Sequence, residues 1–243
     1  MNKINKFHDN SFVLRYDGTV KRYGQFCGLA RALDIVGERW TALIIRELSI
    51  RDCRYSDIRD GLPGIATNLL ADRLRHLEAH GVIERYNAPP PVATTLYRLT
   101  AHGEALRPIL HGLGEWGSDL MHSGQGQDAF RGRWLVSAIE GMTINGVPGD
   151  IAPIRVRIAV DHEPVDLVVA DGAARGELLA SAAPDVVITT DPDTAMELLV
   201  GVTTLTRARR DRRATVTGST VAVTEFDRFA AALREQREAP DRS

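Results

Sequence analysis

The stretch that decides the fold reads Gly61-Leu62-Pro63-Gly64-Ile65-Ala66-Thr67-Asn68-Leu69-Leu70-Ala71-Asp72-Arg73-Leu74-Arg75-His76-Leu77-Glu78-Ala79-His80-Gly81. Its first four residues hold two glycines able to take unusual dihedrals and a proline that prevents continuation, so the chain must reverse there. The remainder predicts a helix over residues 67–80, because Leu70, Leu74 and Leu77 recur at i, i+4 and i+7 and share one face. Thr67 is placed as its N-cap and Gly81 at the left-handed position that ends it. With the leucines inward, Thr67, Asn68, Ala71, Asp72 and Arg75 point away from the core and Arg73 lies at the edge.

Working outward, the pattern predicts helices at 26–36 (Phe26, Leu29, Ala30, Leu33 and Val36 at helical spacing), at 40–48 and at 55–60. After Gly81, residues 82–86 and 94–99 alternate as two strands around Pro89-Pro90-Pro91, a hairpin wing. Thr100 then caps a helix expected to run to about Met121, with Leu106, Ile109, Leu110, Leu113 and Trp116 on its apolar side. Three helices, a glycine-bearing turn before the last helix and a two-stranded wing make a winged helix-turn-helix, in which the short helix crosses the duplex backbone and the next enters the major groove. Asn68 has the groups to read adenine, an arginine those to read guanine, and Thr67 at the helix start those to hold a phosphate. Charged helix faces are commonly only solvated, and Asp72 would repel phosphate, so the pattern by itself leaves a non-binding helix-turn-helix open.

The residues Glu38-Arg39-Trp40-Thr41-Ala42-Leu43-Ile44-Ile45-Arg46-Glu47-Leu48, Arg54-Tyr55-Ser56-Asp57-Ile58, Leu62-Pro63-Gly64-Ile65, Leu70 to Glu78 and Tyr97-Arg98-Leu99-Thr100, with an early Cys27, extend the case. Over Cys27 to Gly117 the chain resembles the HxlR family of winged-helix regulators, related to the MarR-like regulators. The resemblance implies binding of double-stranded palindromic DNA by a homodimer, whose first helix and post-wing helix pack across a two-fold axis. It adds Arg54, Ser56 and Arg98 to Thr67, Asn68, Ala71, Asp72, Arg73 and Arg75 as candidate DNA-binding residues. Two departures stand out: Glu38-Arg39 replaces the usual glycine and lysine before the tryptophan, and the wing tip carries Pro89 to Ala93 in place of basic residues. Some relatives use the cysteine matching Cys27 as an oxidation sensor, which requires an exposed thiol with a lowered pKa; a lone helical cysteine is otherwise a small buried residue.

A chain of 243 residues is long enough for two domains. Ser123-Gly124-Gln125-Gly126-Gln127 reads as the linker, giving a DNA-binding and dimerisation domain at 1–122 and a second domain at 128–243. The charge divides similarly: residues 1–100 carry 15 basic and 11 acidic side chains, a net of +4, and the rest carry 15 and 21, a net of -6. Beyond the linker we expect a helix at 129–142, strands at 154–160, 165–169 and 186–189, a helix opened by Asp191-Pro192-Asp193-Thr194, a strand pair at 214–217 and 220–223, and a helix at 226–237. Pro184 to Gly201 and Ala214 to Gly218 make this segment similar to sterol-carrier-protein-like domains. The resemblance implies a curved, mainly antiparallel sheet with helices over an apolar cavity, so the whole chain is expected to be α+β. It places Trp134, Met142, Met196, Leu199, Leu205, Phe226 and Phe229 as walls for an apolar small-molecule effector, each of which also suits an ordinary core.

Two cysteines allow neither a disulfide framework nor a four-thiolate zinc site within the chain. No signal peptide or membrane span is legible, so a cytoplasmic protein is expected. There is no phosphate loop, nucleophile elbow or paired-histidine zinc motif, which argues against an enzyme, and no cofactor or metal is expected. His76 and His80 share a face at i, i+4 and read as a surface pair. The run Arg207 to Arg213 reads as a solvated loop or helix end, with contact to DNA phosphate as the alternative. Two other readings stay open: a carrier of hydrophobic ligands with a dimerising winged helix, and a regulator controlled by oxidation of Cys27.

Overall fold

The computed structural model describes residues 22–160, 162–178 and 182–238. They fall into two compact units that divide between Glu104 and Ala105.

The first unit holds α1 (Gly28–Val36), α2 (Thr41–Ile50), α3 (Tyr55–Asp60), α4 (Thr67–Ala79), β1 (Ile83–Asn87), β2 (Thr95–Leu99) and α5 (Ala101–Glu104). In its core Ile44, Ile45 and Leu48 of α2, Ile58 of α3, and Leu70, Leu74 and Leu77 of α4 are all buried, together with Leu62, Val82, Ile83 and Leu99; on α2 the spacing selects Leu43, Ile44 and Leu48, but Leu43 is exposed and Ile45 takes its place. The wing pairs antiparallel from Ile83 opposite Leu99 to Asn87 opposite Thr95. Cys53 extends it as a third edge, exchanging both backbone hydrogen bonds with Tyr97 (3.0 and 2.8 Å). Gly81, with φ +63°, ends α4 as expected.

The first unit departs from expectation in three places. α1 starts at Gly28, because Cys27 is extended (φ -144°) and occupies the N-cap position; Phe26 therefore lies outside the helix and is fully exposed, and Leu29 and Leu33 are exposed too. The N-cap of α4 is Ala66, not Thr67, which is the first helical residue. Of the two turn glycines only Gly64 is left-handed (φ +90°), Gly61 being right-handed.

The single post-wing helix is also corrected. Thr100 caps its start, its Oγ1 accepting the Gly103 N–H at 3.1 Å, but α5 ends at Glu104. Helix resumes as α6 (Arg107–Ser118), in the second unit, and closes in a 3-10 turn at Asp119–Ser123. Pro108 has no N–H to give to Glu104, so the ladder breaks there.

The second unit continues with α7 (Trp134–Met142), β3 (Ile154–Val160), β4 (Glu163–Ala170), β5 (Ala173–Leu178), β6 (Val186–Thr190), α8 (Pro192–Leu199), α9 (Leu205–Arg210), β7 (Ala214–Gly218) and α10 (Thr220–Glu238). Its five strands run in the order β5-β4-β3-β6-β7, antiparallel except for the parallel β3/β6 pair. Ile154, Val156, Ile158 and Val160 of β3 are buried, as are Val165, Leu167 and Val169 of β4, and helices cover that face: Gly176 of β5 lies so close to α7 that a Cβ would stand 2.7 Å from Val136 Cα.

Here too several expectations are revised. α7 begins at Trp134 rather than residue 129, since Gly132 lies against the carbonyl of Glu163. β5 was not legible, its Ala-Ala-Arg-Gly-Glu run lacking apolar alternation. Residues 220–223 are not a strand: Gly218, at φ +124°, turns the chain, and α10 starts at once with Ala222, Phe226, Phe229, Ala230 and Leu233 buried. In agreement with one of its two readings, the basic run starts as the end of a helix, α9, with Arg207, Arg209 and Arg210 in the last turn. Within the sequence linker, the Gln125 N–H donates to Asp193 at 2.7 Å, tying that segment to the start of α8.

No helix among the described residues is long and apolar enough to cross a membrane.

Candidate nucleic-acid interface

α4 owes its presentation to three anchors. Leu70, Leu74 and Leu77 fix its inner face. Its start is clamped by Tyr55, whose hydroxyl donates to the Thr67 carbonyl at 2.7 Å and so ties α3 to α4 across the turn. Nothing local in the sequence marks Tyr55 for this role, because the contact spans twelve residues. The third anchor is Arg73, whose Nη2 donates to Glu38 at 2.9 Å, the residue that departs from the family pattern.

The outer face presents Thr67, Asn68, Asp72 and Arg75 exposed, with Ala71 half-buried between them. Asn68 is exposed, and its Oδ1 accepts the Leu69 N–H at 2.9 Å. Asp72 lies 3.2 Å from Arg73 and 3.3 Å from Arg75. Its charge is thereby offset, so the repulsion foreseen for it is reduced. The two arginines differ: the Arg75 side chain is 71% exposed, whereas that of Arg73 is 16% exposed and held by two carboxylates. Arg73 is a positioning residue of the ridge more than a part of its outer surface.

Arg54 and Ser56 are exposed at the start of α3, where Asp57 accepts the Arg54 N–H at 2.9 Å. Arg98 lies apart from this group, on β2 of the wing. Its Nε donates to Glu84 at 2.7 Å and its guanidinium stacks 4.7 Å over the Tyr86 ring, while Tyr86 donates to Asp52. The Glu84 carboxylate raises the Arg98 pKa further and offsets its charge. A surface hollow of about 350 Å³ on the wing is lined by Arg85, Tyr86, Asn87 and Thr95, none of them a candidate apolar wall residue.

Those wall candidates all lie in the second unit. Leu199, Leu205, Phe226 and Phe229 are fully buried, with the two phenylalanine rings 6.4 Å apart, while Trp134, Met142 and Met196 are half-buried.

The two cysteines contrast. Cys27 is exposed, and the nearby backbone amides of Ala30 and Leu29 at the start of α1 hold its thiol below the ordinary value. Cys53 is buried and burial pushes its thiol up to about 11. The histidine pair is not on the surface: His80 is buried and His76 half-buried, their rings 4.3 Å apart, and burial followed by the neighbouring His80 lowers the His76 pKa. Among the described residues no group of three or more His, Cys, Asp or Glu is placed to hold a metal ion.

Residues 35–125 match the HxlR-like helix-turn-helix family. An uncharacterised HTH-type transcriptional regulator of Synechocystis sp., sll1512, is 36% identical over 98 residues, which are 40% of this chain and 73% of that protein. The uncharacterised HTH-type transcriptional regulator YvaP of Bacillus subtilis is 37% identical over 37% of this chain and 82% of its own. Among solved structures, the reduced form of the transcriptional regulator YodB from B. subtilis aligns at 30% identity over 41% of this chain and 99% of that chain, with a TM-score of 0.36. With these relatives spanned over most of their own length, the chain belongs to the HxlR-like helix-turn-helix family, in which its relatives are transcriptional regulators and not enzymes.

Proposed function

We propose that this protein is a transcriptional regulator that binds palindromic double-stranded DNA as a homodimer, with α4 in the major groove. The observation that carries the reading is the outer ridge of α4: Thr67, Asn68 and Arg75 are exposed on the helix whose other face, Leu70, Leu74 and Leu77, is buried. In this reading Asn68 and Arg75 contact base edges, Thr67, Arg54 and Ser56 contact phosphate, and Arg98 contributes little because Glu84 already pairs with it. The test is retention of the duplex that the full-length protein enriches from a random pool. Asn68→Ala/Arg75→Ala should lose it with circular dichroism unchanged, and wild-type affinity in that variant would end the reading.

Support for the dimer comes from apolar side chains that the chain leaves exposed: Phe26, Leu29 and Leu33 at α1, and Ile109, Leu113 and Trp116 on α6. A second copy covering them would present two α4 helices to half-sites about one helical turn apart. Light scattering on Leu29→Glu and Trp116→Glu should report a monomer.

For the rest of the chain, residues 128–243, the proposed role is sensing. A mainly antiparallel sheet faced by helices is what the sterol-carrier-like resemblance implies, and the sheet found here supports an apolar effector received in this part of the chain, with the half-buried Trp134, Met142 and Met196 and the buried Leu199, Leu205, Phe226 and Phe229 as its proposed walls. Such an effector alters DNA affinity only by binding the competent and incompetent states unequally. Native mass spectrometry of the purified chain should find a bound apolar molecule whose removal changes DNA affinity. Binding without that change would point to a carrier.

A redox reading is favoured by one observation, the exposed Cys27 with its lowered thiol pKa. It requires that a thiol oxidant change the DNA affinity of the wild type and not that of Cys27→Ser.

A further inference from the structure

The second unit contains one concentrated patch of positive charge that neither its core nor the reading above uses. α9 is a short helix held firmly on its inner side. Leu205 and Ala208 are buried, Thr204 Oγ1 accepts the Arg207 N–H at 3.2 Å, and Asp227 of α10 accepts the Leu205 N–H at 2.7 Å. The last arginine of the run, Arg213, turns back to a two-pronged contact with Glu197 of α8 at 2.6 and 2.8 Å. That leaves Arg207, Arg209, Arg210 and Arg212 together on the surface, all exposed.

Their only acidic neighbour in the run is Asp211, 3.6 Å from Arg207 and 3.3 Å from Arg210. Arg209 and Arg212 meet no carboxylate among the described residues. Positions 207–212 therefore carry a net +3, while the other residues beyond position 100 hold 11 basic side chains against 20 acidic. Folding gives no reason for this density. A single cation in the last turn already complements a helix dipole, and like charges crowded on one helix end repel. An anchored helix end with four exposed guanidinium groups, two of them without a carboxylate, is instead suited to a polyanion, since guanidinium matches phosphate oxygens in pairs. The polyanion that the proposed function brings to this chain is duplex DNA.

We propose that Arg207, Arg209, Arg210 and Arg212 at the end of α9 form a second phosphate-binding surface for duplex DNA, one that adds affinity without choosing sequence. The proposal rests on the DNA-binding reading and extends it to a part of the chain outside the winged helix.

The experiment measures the affinity of the full-length protein for its enriched duplex over a range of salt concentrations. Each phosphate contact contributes about 0.9 to the slope of log affinity against log salt, so Arg209→Ala/Arg212→Ala should flatten the slope by about 1.8 for each bound subunit. The loss should be the same on the enriched duplex and on one of scrambled sequence, and Arg209→Lys/Arg212→Lys should restore it. An unchanged slope in the alanine variant overturns the proposal and leaves the DNA-binding reading intact, because the wild type still binds. A slope lost equally in the lysine variant also overturns it, since charge is then not what acts. Failure of the wild type to bind any duplex removes both.

Discussion

Leu74 and Arg75 are neighbours in sequence and opposites in structure, so replacing each by alanine separates fold from function. Leu74 is 2% exposed, within the core that backs α4. Its truncation removes three carbons and leaves a cavity, at a cost of about 2 to 5 kcal/mol. For a unit of this size each kcal/mol moves the midpoint by several degrees, so melting should fall on the order of 10 to 25 °C. Arg75 is exposed, and its contact with Asp72 at 3.3 Å is a surface pair contributing about 0 to 1 kcal/mol. Arg75→Ala should thus melt close to the wild type. Its DNA affinity should nevertheless fall by about 1 to 3 kcal/mol, roughly 5- to 150-fold, if its guanidinium reads a base edge. Thermal unfolding and fluorescence anisotropy on the enriched duplex supply both numbers. Affinity that follows melting temperature across the two variants, with Arg75→Ala binding normally, would refute the claim that the outer ridge reads DNA.

Three further outcomes follow from local geometry. A Cβ at Gly103 would run into the Val82 carbonyl oxygen, so Gly103→Ala should lower the melting temperature of the first unit, measurable by circular dichroism. Thiol titration at neutral pH should find Cys27 reactive in the native protein and Cys53 reactive only after denaturation, because Cys53 is buried with its thiol pushed up to about 11. The Glu177 carboxyl is held below its ordinary pKa chiefly by Arg155, whose Nη1 lies 2.7 Å away. A lowered folded pKa means stability that is present above the unfolded value of about 4.3 and is lost as pH falls through the folded one, so Glu177→Gln should be less stable at pH 7 and the gap should close in acid.

What was legible in the sequence is what short-range rules decide. Leu70, Leu74 and Leu77 defined α4, Gly81 its end, and the alternation around Pro89-Pro90-Pro91 the wing, because each depends on residues within a few positions. The errors come where a local signal was weak or was outcompeted. Pro108 breaks the post-wing helix, although the apolar stripe continues through it. β5 forms because β4 offers it a full ladder, from Val165 opposite Leu178 to Ala170 opposite Ala173, which its own Ala, Arg, Gly and Glu do not announce. Residues 220–223 alternate like a strand yet begin α10, whose buried face extends to Leu233. In the candidate interface, the outward set on α4 could be listed from periodicity, but the contacts that hold it, Tyr55 on Thr67 and Glu38 on Arg73, span twelve and thirty-five residues and leave no local trace.

Periodicity also has a limit that this chain makes plain. Leu70, Leu74 and Leu77 on α4 and Ile109, Leu113 and Trp116 on α6 follow the same helical spacing, and by sequence they are the same kind of stripe. The first set is buried and the second is exposed, as are Leu29 and Leu33 on α1, where the buried positions are Ala30 and Asp34 instead. A helical repeat records that one face was selected to leave water; it does not record whether the covering surface belongs to the same chain. Burying a leucine contributes about 1.5 to 3 kcal/mol, so a row of large apolar side chains left in water forgoes several such contributions. The proposed second copy recovers them. This is the physical reason the proposed dimer would depend on α1 and α6, whose outward residues add nothing to the isolated core.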